Sequence, residues 1–394
     1  MTSQESAIGD YSASHGGPFF ELQRRFGLLR EDAMHAGRRA AIFVTIAWGV
    51  PLLLSLIEGH AFGPKDERPY LLDFGSWARF FIAVGLFLLS ETAVEDGLRT
   101  KIRQFIRAPI LAPNSFAAAA EAVATALKRR SSSLAEIVCL AIAILGGFAL
   151  WEQWHHADAS TWAVQVGDDG AQVTFAGWWA CVFSAPIFYF LLLRGLWRYI
   201  VWALLLWRIS TLDLRLVASH PDGKGGLAFV AEYPNAYALF VFGVSSAAAI
   251  VVVRHVFDSG MSSVTFGYII SAWLAIVLVF FGFPLIAFTG PLGELKRKAL
   301  EDLGAQATVF HRQAERALMG HNLVANDPAE AAPAPPVADP SGQYAISRKF
   351  SIFLFSRTSL IPIAAAALVP FAIAGATKLP YKEVFALVKK LLVI

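Results

Sequence analysis

Six long apolar runs dominate this sequence, at residues 40–57, 77–94, 134–151, 174–209, 227–253 and 264–286. A helix of about 20 apolar residues crosses the roughly 30 Å hydrocarbon core of a bilayer. Six near-adjacent runs of that kind leave little chain for a water-facing domain. The composition agrees: 56% of residues are hydrophobic and 16% charged, where a soluble domain carries about 25% charged residues. The expected fold is all-α, a polytopic transmembrane bundle of six or seven helices. The seventh candidate lies within 348–394, interrupted by Pro362 and Pro370 and followed by an amphipathic tail.

Between the runs the chain predicts smaller elements. Residues 1–39 form a cytoplasmic N-terminal region. Its first 17 residues are polar and Ser/Gly-rich, the composition of a disordered segment. Phe20, Leu22, Phe26 and Leu29 then alternate with Arg24, Arg25 and Arg30, which suits a helix lying on the membrane surface. Residues 96–130 predict a helical hairpin outside the membrane, capped at Asn114 or Ser115. The alternating stretches on either side of Gly167-Asp168-Asp169-Gly170 predict a small β-hairpin. Run 174–209 is long enough to project past the membrane or to lay its second half along the surface. Residues 212–216 permit a short extended piece. The bundle region ends near 290, and 291–320 reads as a cytoplasmic amphipathic helix. Residues 321–347 form a Pro/Ala-rich linker.

Lys and Arg concentrate before 40, within 99–130, around 194–224 and in 296–316, whereas loop 152–176 carries neither. The positive-inside rule then places the N-terminus in the cytoplasm and the β-hairpin on the opposite, periplasmic side. The net charge of +3 belongs to those loops and implies no nucleic-acid partner. Cys139 and Cys181 both fall inside apolar runs, so neither a disulfide framework nor a CxxC site is expected.

Sidedness gives the buried charges a common depth. Glu91, Glu95, Glu136, Arg194, Arg198 and Glu232 all come to the cytoplasmic end of the bundle. Glu91 and Glu95 are spaced i, i+4, as are Arg194 and Arg198, so each pair shares a helix face. A charge at membrane depth costs about 2.5–3.5 kcal/mol on insertion scales, so such residues pair or face water. Three readings fit the set: an ion-paired clamp, a solvated snorkelling ring, or an ion, proton or substrate path.

The loop from His220 to Leu227, between the fourth and fifth runs, reads His-Pro-Asp-Gly-Lys-Gly-Gly-Leu. Its proline and glycines preset the backbone, and Asp222 before Gly223 is turn chemistry. His220, Asp222, Lys224, Gly225 and Gly226 are therefore candidate functional residues, expected to fold over the cytoplasmic mouth of the bundle. Gly223-Lys224 is no phosphate loop, because Ala218 and Gly225 stand where Gly and Ser/Thr are needed. HExxH and GxSxG are absent. The adjacent His155 and His156 have poor metal-ligand spacing. The sequence therefore points to no catalytic residue, cofactor or metal.

The phrase His220-Pro-Asp222-x-x-Gly225-Gly226-Leu227, with Gly59-His60-Ala61-Phe62 and Ala78-Arg79-Phe80, resembles uncharacterised bacterial multi-pass inner-membrane proteins. The resemblance spans the first five runs and implies no activity. The function expected is a channel- or transporter-like protein for an ion or small solute. The alternative is a non-catalytic scaffold or sensor that meets a partner through 96–130 and 292–318. The lipid bilayer, a second copy of the chain or a cytoplasmic protein are the expected partners.

Overall fold

The computed structural model describes residues 3–29, 34–63, 68–156, 160–168, 170–258, 263–325, 338–355, 357–377 and 381–393. Residues 326–337 of the expected linker, Arg30, and Pro64–Asp66 of the first outer loop lie outside them. Seven helices are long and apolar enough to cross a membrane, and the architecture is that of an integral, multi-pass membrane protein.

In chain order the helices are α1 (Ser3–Gly9), α2 (Pro18–Arg25), α3 (Ala36–Ile57), α4 (Phe74–Arg107), α5 (Phe116–Arg130), α6 (Ser133–His155), α7 (Phe175–Ser210) and α8 (Ala228–Arg254). They continue with α9 (Ser263–Gly282), α10 (Thr289–Met319), α11 (Ser341–Lys349), α12 (Arg357–Ala376) and α13 (Tyr381–Val393). Strands β1 (Val164–Gly167) and β2 (Gly170–Val173) pair antiparallel with Val164 opposite Val173, the expected hairpin. Helices α4 and α5 form the hairpin over 96–130, with α4 running into it unbroken from the membrane span. Helix α7 is continuous for 36 residues, about 54 Å, longer than the roughly 30 Å hydrocarbon core of a bilayer. The extended piece after it bridges Leu214 to Leu111, and Arg215 donates its N–H to the Ile110 carbonyl at 2.7 Å.

Helix packing relies on close backbone approach, since lipid tails remove the hydrophobic drive between helices. A Cβ on Gly147 of α6 would stand 2.2 Å from the Cys181 carbonyl of α7. Ser245 and Ala249 of α8 are buried, and Ser245 Oγ accepts the Trp273 indole N–H from α9 at 3.0 Å. Helix α12 packs along α8, which places the seventh apolar segment within the bundle.

Three helices carry a wide π turn: Thr45–Gly49 in α3, Trp77–Ala83 in α4 and Ala180–Ser184 in α7. These turns pack on one another, with the Trp179 indole donating to the Ile46 carbonyl at 2.9 Å. In contrast α8 opens with a tight 3-10 stretch, Ala228–Tyr237, around Pro234.

Three expectations are corrected. Residues 1–17 are ordered from Ser3 onward: Ile8, Tyr11 and Ala13 are buried, and the Tyr11 ring lies 5.6 Å from the fully buried Trp202. The surface helix expected to follow is the short α2 alone, and Ala36 already opens α3. The C-terminal part of the linker is helical too, as α11, whose Tyr344 lies near Gly304 of α10.

Candidate functional site

Four of the membrane helices deliver charge to one buried point. Arg39 comes from the first turns of α3, Glu91 and Glu95 from α4, Glu136 from the first turn of α6, and Arg194 and Arg198 from α7. All six side chains are buried. Glu91 is the hub. Its Oε2 lies 2.7 Å from Arg39, while its Oε1 accepts from Arg194 and lies 3.4 Å from Arg198. Arg194 Nε also meets Glu136 Oε1 at 3.1 Å, and its guanidinium lies over the Phe19 ring with 4.9 Å to the centroid. The i, i+4 spacings bring this about by turning each pair toward the same interior face.

The N-terminal segment closes the cluster from above. Glu95 accepts the backbone N–H groups of Ala13 and Ser14, both at 2.7 Å, and the Ser12 hydroxyl at 3.1 Å. Glu136 Oε2 accepts the Phe19 N–H at 2.7 Å. Ser14 Oγ donates to the Glu91 carbonyl, and Arg198 donates to the Gly16 carbonyl. Arg130 from α5 grips the Ser12 carbonyl at 2.5 Å, while Arg99 and Arg103 hold the carbonyls of Tyr11 and Gly9. Gly16 and Gly17 both sit at φ 93°, a conformation glycine adopts readily. The segment is thus a plug whose backbone supplies hydrogen bonds to two buried carboxylates.

Glu232 does not join the cluster. It is exposed and pairs with Lys101 at 2.6 Å. The reason is local: the 3-10 geometry of Ala228–Tyr237 advances each residue by 120° where an α turn advances it by 100°, so Glu232 presents a different face.

The His220 loop does fold back on the bundle, at another place. The Asp222 carboxylate collects the N–H groups of Lys224, Gly226 and Ala228 at 2.8–3.1 Å, and lies 2.8 Å from His220 Nδ1. Burial pushes the Asp222 carboxyl up, but these backbone donors and His220 outweigh it and hold the group below its ordinary value. Lys224 donates to the Leu354 carbonyl, and Ser351 N–H to the Gly223 carbonyl. Gly225, at φ 68°, is packed so closely that a Cβ would meet Leu292 at 3.2 Å and Phe350 at 3.4 Å. The loop is a brace between the bundle and the C-terminal segment, and it is the N-terminal segment that lies over the charges.

Residues that sequence reasoning passed over are Ser12–Phe19, Gln23 and Arg39. Gln23 Oε1 accepts from Arg39 Nε at 2.5 Å. The usable signal was the pair Gly16-Gly17 ahead of Pro18 and two phenylalanines, a shaped turn with an apolar anchor.

Beside the plug lies a cavity of about 30 Å³, lined by Ser14, Ser90, Glu91, Arg194, Arg198 and Tyr237 among others. Roughly 10–15 Å³ suffices for one water. Arg194 Nη2, Arg198 Nε and the Tyr237 hydroxyl are buried with no hydrogen-bond partner among the described residues. The described residues hold no metal-binding group of His, Cys, Asp and Glu. Comparison with protein-family models, with curated proteins and with solved structures finds no match.

Proposed function

We propose that the protein is a channel- or transporter-like membrane protein for a small anion, with the Glu91 cluster as its polar centre and residues 9–19 as the plug that closes it. The observation that carries this reading is the surplus of guanidinium groups around the small cavity. Arg194 and Arg198 line it against Glu91 as its one carboxylate, and each keeps an N–H group with no partner among the described residues. A buried ion pair is weak evidence for stability, because desolvation offsets its attraction. Ionisable groups inside a membrane bundle more often mark a pathway for ions or solutes. A plug bound through backbone N–H groups can leave without breaking the ion pairs that hold α3, α4, α6 and α7 together.

The Lys/Arg asymmetry between loops supports an orientation with the plug on the cytoplasmic side. The test is chloride and nitrate flux into proteoliposomes. The expected result is low flux for the full chain and a marked rise when Gly17→Val drives the plug off. Flux absent from both forms rejects the conduit. One observation favours the scaffold or sensor reading: α10 runs 31 residues with only Leu292 buried and leaves Val309, Leu318 and Met319 exposed. A scaffold of that kind conducts in neither form.

A further inference from the structure

The end of the bundle opposite the charged cluster holds a cleft of about 380 Å³ between α4, α6 and α8. Its polar lining includes Arg79, Gln153 and Arg254, and its apolar lining includes Leu150, Ile250 and Val251. Arg254 Nη2 meets Asp73 Oδ1 at 2.6 Å. Asp73 is already engaged, accepting also from the Ser76 hydroxyl at 2.6 Å and the Trp162 indole at 3.1 Å. Arg79 donates only to the Gly75 carbonyl, at 3.2 Å, and has no carboxylate partner among the described residues. Among the described residues Arg254 alone thus holds a carboxylate at the cleft, and most N–H donors of the two guanidinium groups stay available.

A guanidinium fork matches a phosphate group in geometry and charge. The apolar side of the cleft asks for more than phosphate, since a free ion would leave Leu150, Ile250 and Val251 uncovered. Val251 is 61% exposed, on a helix long and apolar enough to cross the membrane, so an acyl chain would lie against it. Two guanidinium groups beside lipid-facing apolar side chains suit the phosphate and the acyl chain of one anionic lipid. We propose that this cleft binds an anionic phospholipid, its phosphate between Arg79 and Arg254 and its acyl chain along Leu150, Ile250 and Val251.

The test uses the full chain in a neutral detergent, with phosphatidylglycerol, phosphatidylcholine and inorganic phosphate as probes. Retained lipid is read by native mass spectrometry, and binding by the shift in melting temperature. Phosphatidylglycerol is expected to stay bound and raise the melting temperature, while the other two do neither at equal concentration. Arg79→Gln leaves the Arg254–Asp73 pair intact and should weaken phosphatidylglycerol binding about tenfold to hundredfold, the worth of a charge-assisted hydrogen bond. Val251→Trp, at an exposed site, should crowd the acyl path and weaken binding with Arg79 unchanged. Equal binding of the two lipids overturns the proposal, as does unchanged affinity in both variants. A full shift from inorganic phosphate alone also overturns it, since a soluble anion then occupies the cleft.

Discussion

Gly17 lies so close over Glu136 that a Cβ placed on it would stand 2.6 Å from the carboxylate oxygen. The same residue sits at φ 93°, so Gly17→Ala meets both a steric and a backbone penalty. Strain of that kind costs about 1–3 kcal/mol before any clash is added. The variant should melt lower and be cut faster by trypsin at Arg24 and Arg25. Gly27→Ala is the control: its φ of 67° brings the strain, but no atom lies within 4 Å, so it should leave the plug seated. Equal proteolysis of the two variants would show that Gly17 has no special place over Glu136.

Arg194 joins Glu91 and Glu136. Arg194→Gln leaves Glu136 buried without a cation, and breaking a buried pair in this way costs about 3–5 kcal/mol. Adding Glu136→Gln should recover part of the loss, an interaction energy on the order of 0.5–3 kcal/mol in a double-mutant cycle. Thermal unfolding of the four forms in one detergent measures it. Losses that simply add would mean that the two groups do not sense each other.

The proposed cytoplasmic side of the plug requires Ser131 to face the cytoplasm and Asp168 the opposite side of the membrane. Single cysteines at these positions, with Cys139 and Cys181 replaced by Ala, should react with a membrane-impermeant maleimide from opposite sides. Ser131→Cys should be labelled only after the membrane is opened, and Asp168→Cys in intact cells. Periplasmic labelling of both reverses the assignment.

The Asp222 carboxyl lies below its ordinary value in the folded chain: burial raises it, and the N–H groups of Lys224, Ala228 and Gly226 with His220 more than compensate. A depressed folded-state pKa gives stability that is present above the ordinary aspartate value of about 3.9 and is lost as pH falls through the lowered one. Asp222→Ala should therefore cost most at neutral pH, about 1–3 kcal/mol for stranded backbone donors. The gap in melting temperature from the parent should close below about pH 4. A gap constant from pH 7 to pH 3 would remove the carboxylate from the explanation.

Much of the charged cluster is legible in the sequence. The i, i+4 spacing of Glu91 with Glu95 and of Arg194 with Arg198, together with a common depth, is enough to bring these residues to one place. Arg39 is harder to see, because it stands just ahead of its apolar run and looks like an ordinary cytoplasmic flank. The plug is hidden for a different reason. Its bonds are backbone N–H groups meeting a carboxylate far along the chain, and a backbone donor has no signature in residue type. Glu232 misleads because depth alone does not set the face of a residue in a 3-10 turn. The His220 loop has an evident shape, but its destination depends on Phe350 and Leu354, in a segment with little pattern of its own.

The wide turns of α3, α4 and α7 share one relation to the charges. Each lies on the helix that supplies Arg39, Glu91 or Arg194, between that residue and the opposite end of the bundle. A π turn holds one surplus residue. Passing that residue along the helix advances the intervening stretch like one step of a screw, by about 100° and 1.5 Å. If such a step travelled through α4 to beyond Glu91, the carboxylate would swing away from all three of its arginines at once. The helix would lose no backbone hydrogen bonds overall, so the hub could be unmade by rotation alone.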